Sequence, residues 1–313
     1  MKFASALALA VGLGVVSANP VVKRASTSEK ATVGYATLSG GTTGGGSAAA
    51  ITVTTLAALK TACAKSGSVV VVSGTITGNE AVKVASGVTI VGKPGASLVG
   101  VGLRVLEVSN VIIRNLKISK VLAAAGDALA VQSANRVWID HVDLSSDRDH
   151  DKDYYDGLLD ITHGCYAVSV TNSYLHDHWK GSLVGHSDSN ESEDKAIQVT
   201  YAFNKWYNLN SRTPSFRFGH GHIFNNYFLS NSDGINTRVG AELLVQNNVF
   251  ESVEKPLYST DNGYANQSGN DFGGASNTAL TTSWSSVGYS YSLTATSSVK
   301  SYVNSNAGAK LSF

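Results

Sequence analysis

Six short segments of the chain share one pattern. Ile112-Ile-Arg-Asn115-Leu-Lys-Ile118 aligns with Trp138-Ile-Asp-His141-Val-Asp-Leu144 and with Ser169-Val-Thr-Asn172-Ser-Tyr-Leu175. Tyr201-Ala-Phe-Asn204-Lys-Trp-Tyr207, Ile223-Phe-Asn-Asn226-Tyr-Phe-Leu229 and Val245-Gln-Asn-Asn248-Val-Phe-Glu251 continue it. Positions 115, 141, 172, 204, 226 and 248 lie 26, 31, 32, 22 and 22 residues apart, and His141 alone among them is not Asn. A shortest period near 22 in β-branched sequence predicts a parallel β-helix, with equivalent positions of successive coils about 4.8 Å apart. Asn amides repeated at an internal bend can then bond up and down the stack. Asn also simply marks turns, but that reading leaves the shared apolar flanks unexplained. Insertions into a solenoid become loops over its binding face, and the two coils between 141 and 204 are the long ones.

The runs Val69–Val72, Val88–Val91 and Val111–Ile113 supply further strands, with few helical candidates between them. Thr54 and Thr55 precede Leu56-Ala-Ala-Leu-Lys-Thr-Ala-Cys63-Ala, a short helix placed to cover one open end of the stack. A second short helix is expected at Ser297–Asn306, packed outside, and Ala25–Ala50 reads as an irregular lead-in. The expected fold is all-β: one parallel β-helix domain over residues 25–313 with a short N-terminal capping helix.

Residues 1–18 have the form of a secretory signal: Lys2, an apolar run Ala6–Val16, and Val16-Ser-Ala18 at the cleavage point. Residues 19–24 end in Lys23-Arg24, a dibasic processing site for a propeptide, so the chain is expected to be secreted and extracellular. Removing Lys2, Lys23 and Arg24 from 24 basic residues leaves 21 against 23 acidic ones. No bulk basic field for nucleic acid remains, and no segment is long enough for a membrane span. A monomer is expected. Cys63 and Cys165 are compatible with one disulfide or with two buried thiols. Asn190-Glu-Ser and Asn266-Gln-Ser are candidate glycosylation acceptors.

Asp156-Gly-Leu-Leu-Asp160 puts two carboxylates on one face if the segment is a strand, and Asp127 opens the segment Asp127–Val131 one coil earlier. Three hard oxygen ligands suit Ca²⁺, although an isolated Asp usually does no more than solvate a surface. The alternating Asp147, Asp149, Asp151 and Asp153 read as such a loop. Arg212 and Arg217 flank Pro214, which argues against regular helix there, and with Lys180 they could grip carboxylates. His176 and His178 lack a matching ligand set for zinc, and Gly219-His-Gly221 lacks the paired Asp motifs of a polygalacturonase.

Val137-Trp-Ile-Asp-His141, the Asp156/Asp160 pair, Lys180 and Arg212-x-Pro-x-x-Arg217 together resemble the pectate lyases of polysaccharide lyase family one. The resemblance runs from about Val69 to Phe250, and the signal-bearing, cysteine-poor chain is most similar to the fungal extracellular members. It implies a right-handed parallel β-helix that cleaves α-1,4-polygalacturonate by Ca²⁺-dependent β-elimination, leaving 4,5-unsaturated ends. It also implies that Asp127, Asp156 and Asp160 are metal ligands, Lys180 and Arg217 substrate contacts, and Arg212 the base. Asp140 and His141 would brace the coil beside the site. Ala125 departs from some bacterial members, which carry a further acidic ligand there, so substrate carboxylates would complete the metal shell.

An arginine base has an ordinary pKa above about 12, so the resemblance further implies an alkaline optimum. Rival readings are a pectin lyase, which needs no Ca²⁺; a polygalacturonase, which makes no unsaturated ends; and a non-catalytic module for wall polysaccharide.

Overall fold

The computed structural model describes residues 25–313. The expected signal and propeptide segments, residues 1–24, lie outside the described residues. From Ala50 onward the chain winds in coils of three short strands, and every strand pair between coils is parallel. The first sheet has 11 strands, from Ala50–Val53 through Ser109–Arg114, Asn135–Asp140 and His220–Phe224 to Leu280–Thr281. The other two sheets are joined through the long strand Ser97–Leu106. Its first residues pair with Lys117–Ser119 and its last with Leu129–Gln132. The second sheet then climbs through Tyr174–Lys180 and Lys205–Ser211, and the third through Leu159–Thr162, Leu183–Val184, Ser215–Arg217 and Ile235–Arg238.

Register lines up identical positions of successive coils into inward columns. In the first sheet the column reads Ile113, Ile139, Val170, Tyr201, Ile223, Val245, all fully buried. In the second it reads Ile118, Leu144, Leu175, Trp206, Phe228, Phe250, aliphatic in the early coils and aromatic in the late ones. Phe228 stacks on Phe250 with ring centroids 4.4 Å apart. Each buried side chain of this size contributes roughly 1.5–3 kcal/mol.

The register also corrects the alignment of the repeat. Arg114, Asp140, Thr171, Ala202, Phe224 and Gln246 are equivalent, so Asn115, His141 and Asn172 correspond to Phe203, Asn225 and Asn247. All six have positive φ, between 47° and 61°, the left-handed geometry that a turn out of the first sheet needs and that Asn tolerates. The amide ladder sits one residue later, at Asn204, Asn226, Asn248 and Asn270. Asn204 Nδ2 donates to Asn226 Oδ1 at 3.0 Å, Asn226 Nδ2 to Asn248 Oδ1 at 2.9 Å, and Asn248 Nδ2 to Asn270 Oδ1 at 3.0 Å. Below Asn204 the ladder ends at Ser173, whose N–H donates to Asn204 Oδ1.

Helix Leu56–Cys63 is capped by Thr55, whose side chain accepts from Ala58 N, and it packs Leu59, Ala62 and Cys63 into the core beside Val53 and Val70. Helix Thr296–Asn306 lies outside the coils, with Val299 and Val303 against Tyr227 and Val249. Cys63 and Cys165 are free buried thiols, each pushed by burial up to about 12.

The lead-in lies along the outside of the first sheet, with Tyr35 N donating to Thr200 Oγ1 and Gly45 N to Thr89 Oγ1. A C-terminal strap also crosses the coils. Thr294 O accepts from Asn225 and Asn247, Gly308 N donates to Asn172 O, and Leu311 N donates to Asn115 Oδ1. Ala25 N then donates to Ser312 O.

Candidate active site

Where the second sheet hands over to the third, coil stacking sets the predicted site residues in neighbouring turns. Ala128 N donates to Gly157 O, Leu158 N to Lys180 O, Gly181 N to Ser211 O, and Ser182 N to Arg212 O. Asp127, Asp156, Lys180 and Arg212 thus come from four successive passes of the chain through one corner. Asp127 stands just before its strand, which begins at Leu129, and follows Gly126 at φ +86°, a conformation that favours glycine. Asp156 likewise precedes the strand Leu159–Thr162, so it and Asp160 do not share a strand face as expected.

Asp127 and Asp160 nevertheless converge, across Gly157. A Cβ on that glycine would meet Asp160 Oδ1 at 2.6 Å and Asp127 Oδ1 at 2.8 Å. Asp127 Oδ1 accepts from Gly157 N at 2.9 Å, and Asp160 Oδ1 from Leu183 N at 3.0 Å. Burial, with the charges of Asp160 and Asp156 adding to it, pushes Asp127 up to about 8. Burial raises Asp160 to about 6, against the pull of Arg212. Two carboxylates drawn close across a residue without a side chain, their charge disfavoured by burial and by neighbouring carboxylates, fit a hard divalent cation. Asp156 turns instead to Lys180, Oδ1 to Nζ at 3.2 Å, so among the described residues no three acidic, histidine or cysteine groups form a closed metal cage.

The cations face the carboxylates. Arg212, at φ +61° in the turn after Lys205–Ser211, donates to Asp160 Oδ2 at 3.4 Å and leaves 30% of its side chain exposed. The peptide that follows, Thr213-Pro214, is cis. Lys180 Nζ also reaches Asp153 Oδ1 at 3.4 Å. Arg217 donates Nε to Asp188 and NH1 to Gly185 O. Arg212 and Arg217 line one cleft of about 330 Å³ with Leu183, His186, Ser215 and Asn236.

A parallel β-helix carrying this corner narrows the choice, and comparison decides it. A family model described as pectate lyase matches residues 4–312. The chain belongs to the pectate lyase family. A pectate lyase A from Aspergillus niger is 57% identical over 93% of this chain and 91% of its own. A probable pectate lyase A from Aspergillus fumigatus is 55% identical over the full length of both. Among solved structures, a pectate lyase from Bacillus sp. N165 in complex with trigalacturonate superposes with a TM-score of 0.81, at 30% identity, over 89% of this chain and 98% of that one.

Several residues of this pectate lyase that shape the corner escape a sequence reading. Arg238 is the register partner of Arg217 and lines the same cleft; its spacing from Arg217 becomes meaningful only once coil register is known. His178 is buried beneath the site, bonding Asp156 O and Ser146 Oγ, and burial pushes it down to about 4, so it is neutral. Asp147 is no freely solvated loop residue: it accepts from Tyr155 OH at 2.9 Å and His150 Nδ1 at 2.8 Å.

The Asp140–His141 motif sits at the turn out of the first sheet, a sheet away from the carboxylates. Asp140 accepts from Arg114 Nε, His141 Nδ1, Thr171 Oγ1 and Asn172 Nδ2. Burial opposes its charge, but the His141 hydrogen bond and the charges of His141 and Arg114 outweigh this and hold its carboxyl below the ordinary range. His220 and Gly221 belong to the strand His220–Phe224, an ordinary coil segment. Asn190 opens the short helix Glu191–Asp194, and Asn266 lies within the strand Tyr264–Ser268. No helix of the described residues is long and apolar enough to cross a membrane.

Proposed function

We propose that this pectate lyase is a secreted monomer that cleaves α-1,4-polygalacturonate by calcium-dependent β-elimination, with Arg212 as the base. The observation that carries the reading is Arg212 itself, anchored to Asp160 at 3.4 Å while part of its guanidinium opens on the cleft. Residues 1–18 and 19–24 would be removed on export, and Asn190 and Asn266 would be the glycan acceptors.

The chemistry starts from a poorly acidic C5–H, because the uronate carboxylate next to it repels the charge that develops on deprotonation. Lys180 and Arg217 would bind uronate carboxylates and hold that charge. Asp127, Asp160 and Asp156 would hold the calcium ion, which when bound supplies further neutralisation of the uronate carboxylate. Arg212 takes the C5 proton. The electron pair forms the C4–C5 double bond, the C4–O bond breaks, and the departing oxygen takes a proton from water, to which Arg212 returns the one it took. No water is consumed. Asp160 orients Arg212, and His178 fixes the backbone carrying Asp156.

The test is ultraviolet absorbance of unsaturated product from polygalacturonate, with calcium and then with excess chelator. A rise abolished by chelator supports the reading. A persistent rise, strongest on methyl-esterified polymer, would point to pectin lyase chemistry, and reducing ends without absorbance to a hydrolase. Arg212→Lys is expected to lose about 10³-fold or more in turnover with its fold intact; retained turnover would remove Arg212 from the role of base.

A further inference from the structure

Beside the cleft, one exposed carboxylate joins two enclosed arginines. Arg217 and Arg238 are parallel register partners in adjoining coils. Asp188 takes Arg217 Nε on Oδ1, and Arg238 NH2 on both of its oxygens at 3.3 Å. Each arginine has a second anchor: Arg217 NH1 on Gly185 O at 3.4 Å, and Arg238 NH2 on Asp261 Oδ2 at 3.3 Å. Packing encloses both, with 14% and 20% of their side chains exposed. Asp188 is 58% exposed, on the connection between strand Leu183–Val184 and helix Glu191–Asp194. The arginines therefore keep their places without Asp188, and the contact is the part of the arrangement free to open.

We propose that Asp188 is an internal stand-in for a uronate carboxylate, a latch that occupies the Arg217–Arg238 pair until substrate displaces it. The inference rests on the reading of Arg217 as a substrate contact. Exchange of one carboxylate for another leaves the charge around the two guanidinium groups unchanged, so a uronate unit can replace Asp188 at little electrostatic cost. A methyl-esterified unit brings no charge and would leave the arginines less well neutralised than Asp188 does. The latch thereby sets affinity, lowering it by one factor for any unit that must displace it, while the preference for unesterified stretches comes from the arginine pair itself.

Asp188→Asn keeps the side chain's size and removes its charge. With calcium saturating, KM for polygalacturonate is expected to fall about three- to five-fold, the range an exposed ion pair can contribute, with kcat changed less than about two-fold. The ratio of kcat/KM on polygalacturonate to that on highly methyl-esterified pectin should not fall, because losing the latch helps the polymer that displaced it at least as much as the one that did not. A KM that rises or stays unchanged, or a kcat that falls with it, overturns the latch and makes Asp188 a brace for the arginines. Arg217→Ala separates the two layers of the argument. If it leaves KM unchanged, the substrate role of Arg217 fails and the latch with it. If it raises KM while Asp188→Asn does not lower it, the latch alone fails.

Discussion

From Asn204 to Asn270 the coil repeats every 22 residues, and each turn is held by an amide bonded to its counterpart one coil on. From Asn115 to Asn172 the spacing is 26 and 31 residues, and the equivalent turn is held by one buried carboxylate, Asp140, bonded to Arg114, His141, Thr171 and Asn172. The inward column changes at the same boundary, from Ile118, Leu144 and Leu175 to Trp206, Phe228 and Phe250. A neutral ladder repeats without limit because each amide both donates and accepts. A charged hub cannot repeat, since a second buried carboxylate one coil away would repel the first. The active corner straddles the boundary: Asp127, Asp156, Asp160 and Lys180 come from the early coils, Arg212, Arg217 and Arg238 from the late ones.

If the amide ladder of the late coils is a purely structural spine, the largest effect on stability should come from cutting it in its middle. In Asn226→Ala, Asn204 N and Asn204 Nδ2 lose their acceptor and Tyr201 O loses its donor, all of them buried. The expected cost is on the order of 3 kcal/mol by denaturant unfolding, with specific activity of the folded protein kept. A loss below about 0.5 kcal/mol would remove the ladder from the account.

The early coils should behave in the opposite way, giving up stability for the site. Without calcium, a folded chain whose Asp127 titrates near 8 keeps a proton that the unfolded chain, with an ordinary Asp near 3.9, has released. Stability in chelator should therefore fall as pH rises between those values. Asp127→Asn should flatten that slope and stabilise the calcium-free protein at pH 8 by about 1–2 kcal/mol, while activity collapses. A destabilised variant would contradict the electrostatic reading of this corner.

The smallest effect tests the late coils with pH. His222 is fully buried against Tyr289 OH and Gln246, and burial holds it down to about 4. An unfolded His titrates near 6.5, so the folded chain binds fewer protons between the two values. This contribution is intact above about 6.5 and is lost as pH falls toward 4. His222→Gln should make thermal stability less pH-dependent across that window; an unchanged profile would mean that His222 does not control it.

The same boundary explains what was legible in the sequence. The coil architecture was, because β-branched runs and a shared apolar pattern survive any one-residue error. The ladder was misplaced by one in the early coils because Asn serves two adjacent positions: Asn225 and Asn247 turn the chain, and Asn226 and Asn248 bond along the stack. Where only one Asn is present, as at 115 and 172, the residue type does not say which position it fills. Asn270 went unseen because the apolar flanks fade after it. The corner residues Asp127, Asp156, Asp160, Lys180, Arg212 and Arg217 were picked out through a family pattern, and the meeting of Asp127 with Asp160 across Gly157 was not. Arg238 and Asp188 belong to no local pattern: one is defined by register, the other by a connection that folds back over it.

A stack in which each coil touches only its neighbours would be expected to peel from its ends, one layer at a time. The strap from Thr294 to Ser312 changes that. It bonds to the turns at Asn247, Asn225, Asn172 and Asn115 in succession, and then to Ala25 at the start of the lead-in. The first described residue and the strap are thereby joined near the middle of the stack. Opening a coil between Asn115 and Asn247 strains that belt, so the coils beneath it share one fate. The last residues of the chain, remote from every charged group in the cleft, help decide whether the cleft keeps its shape when the polymer pulls on it.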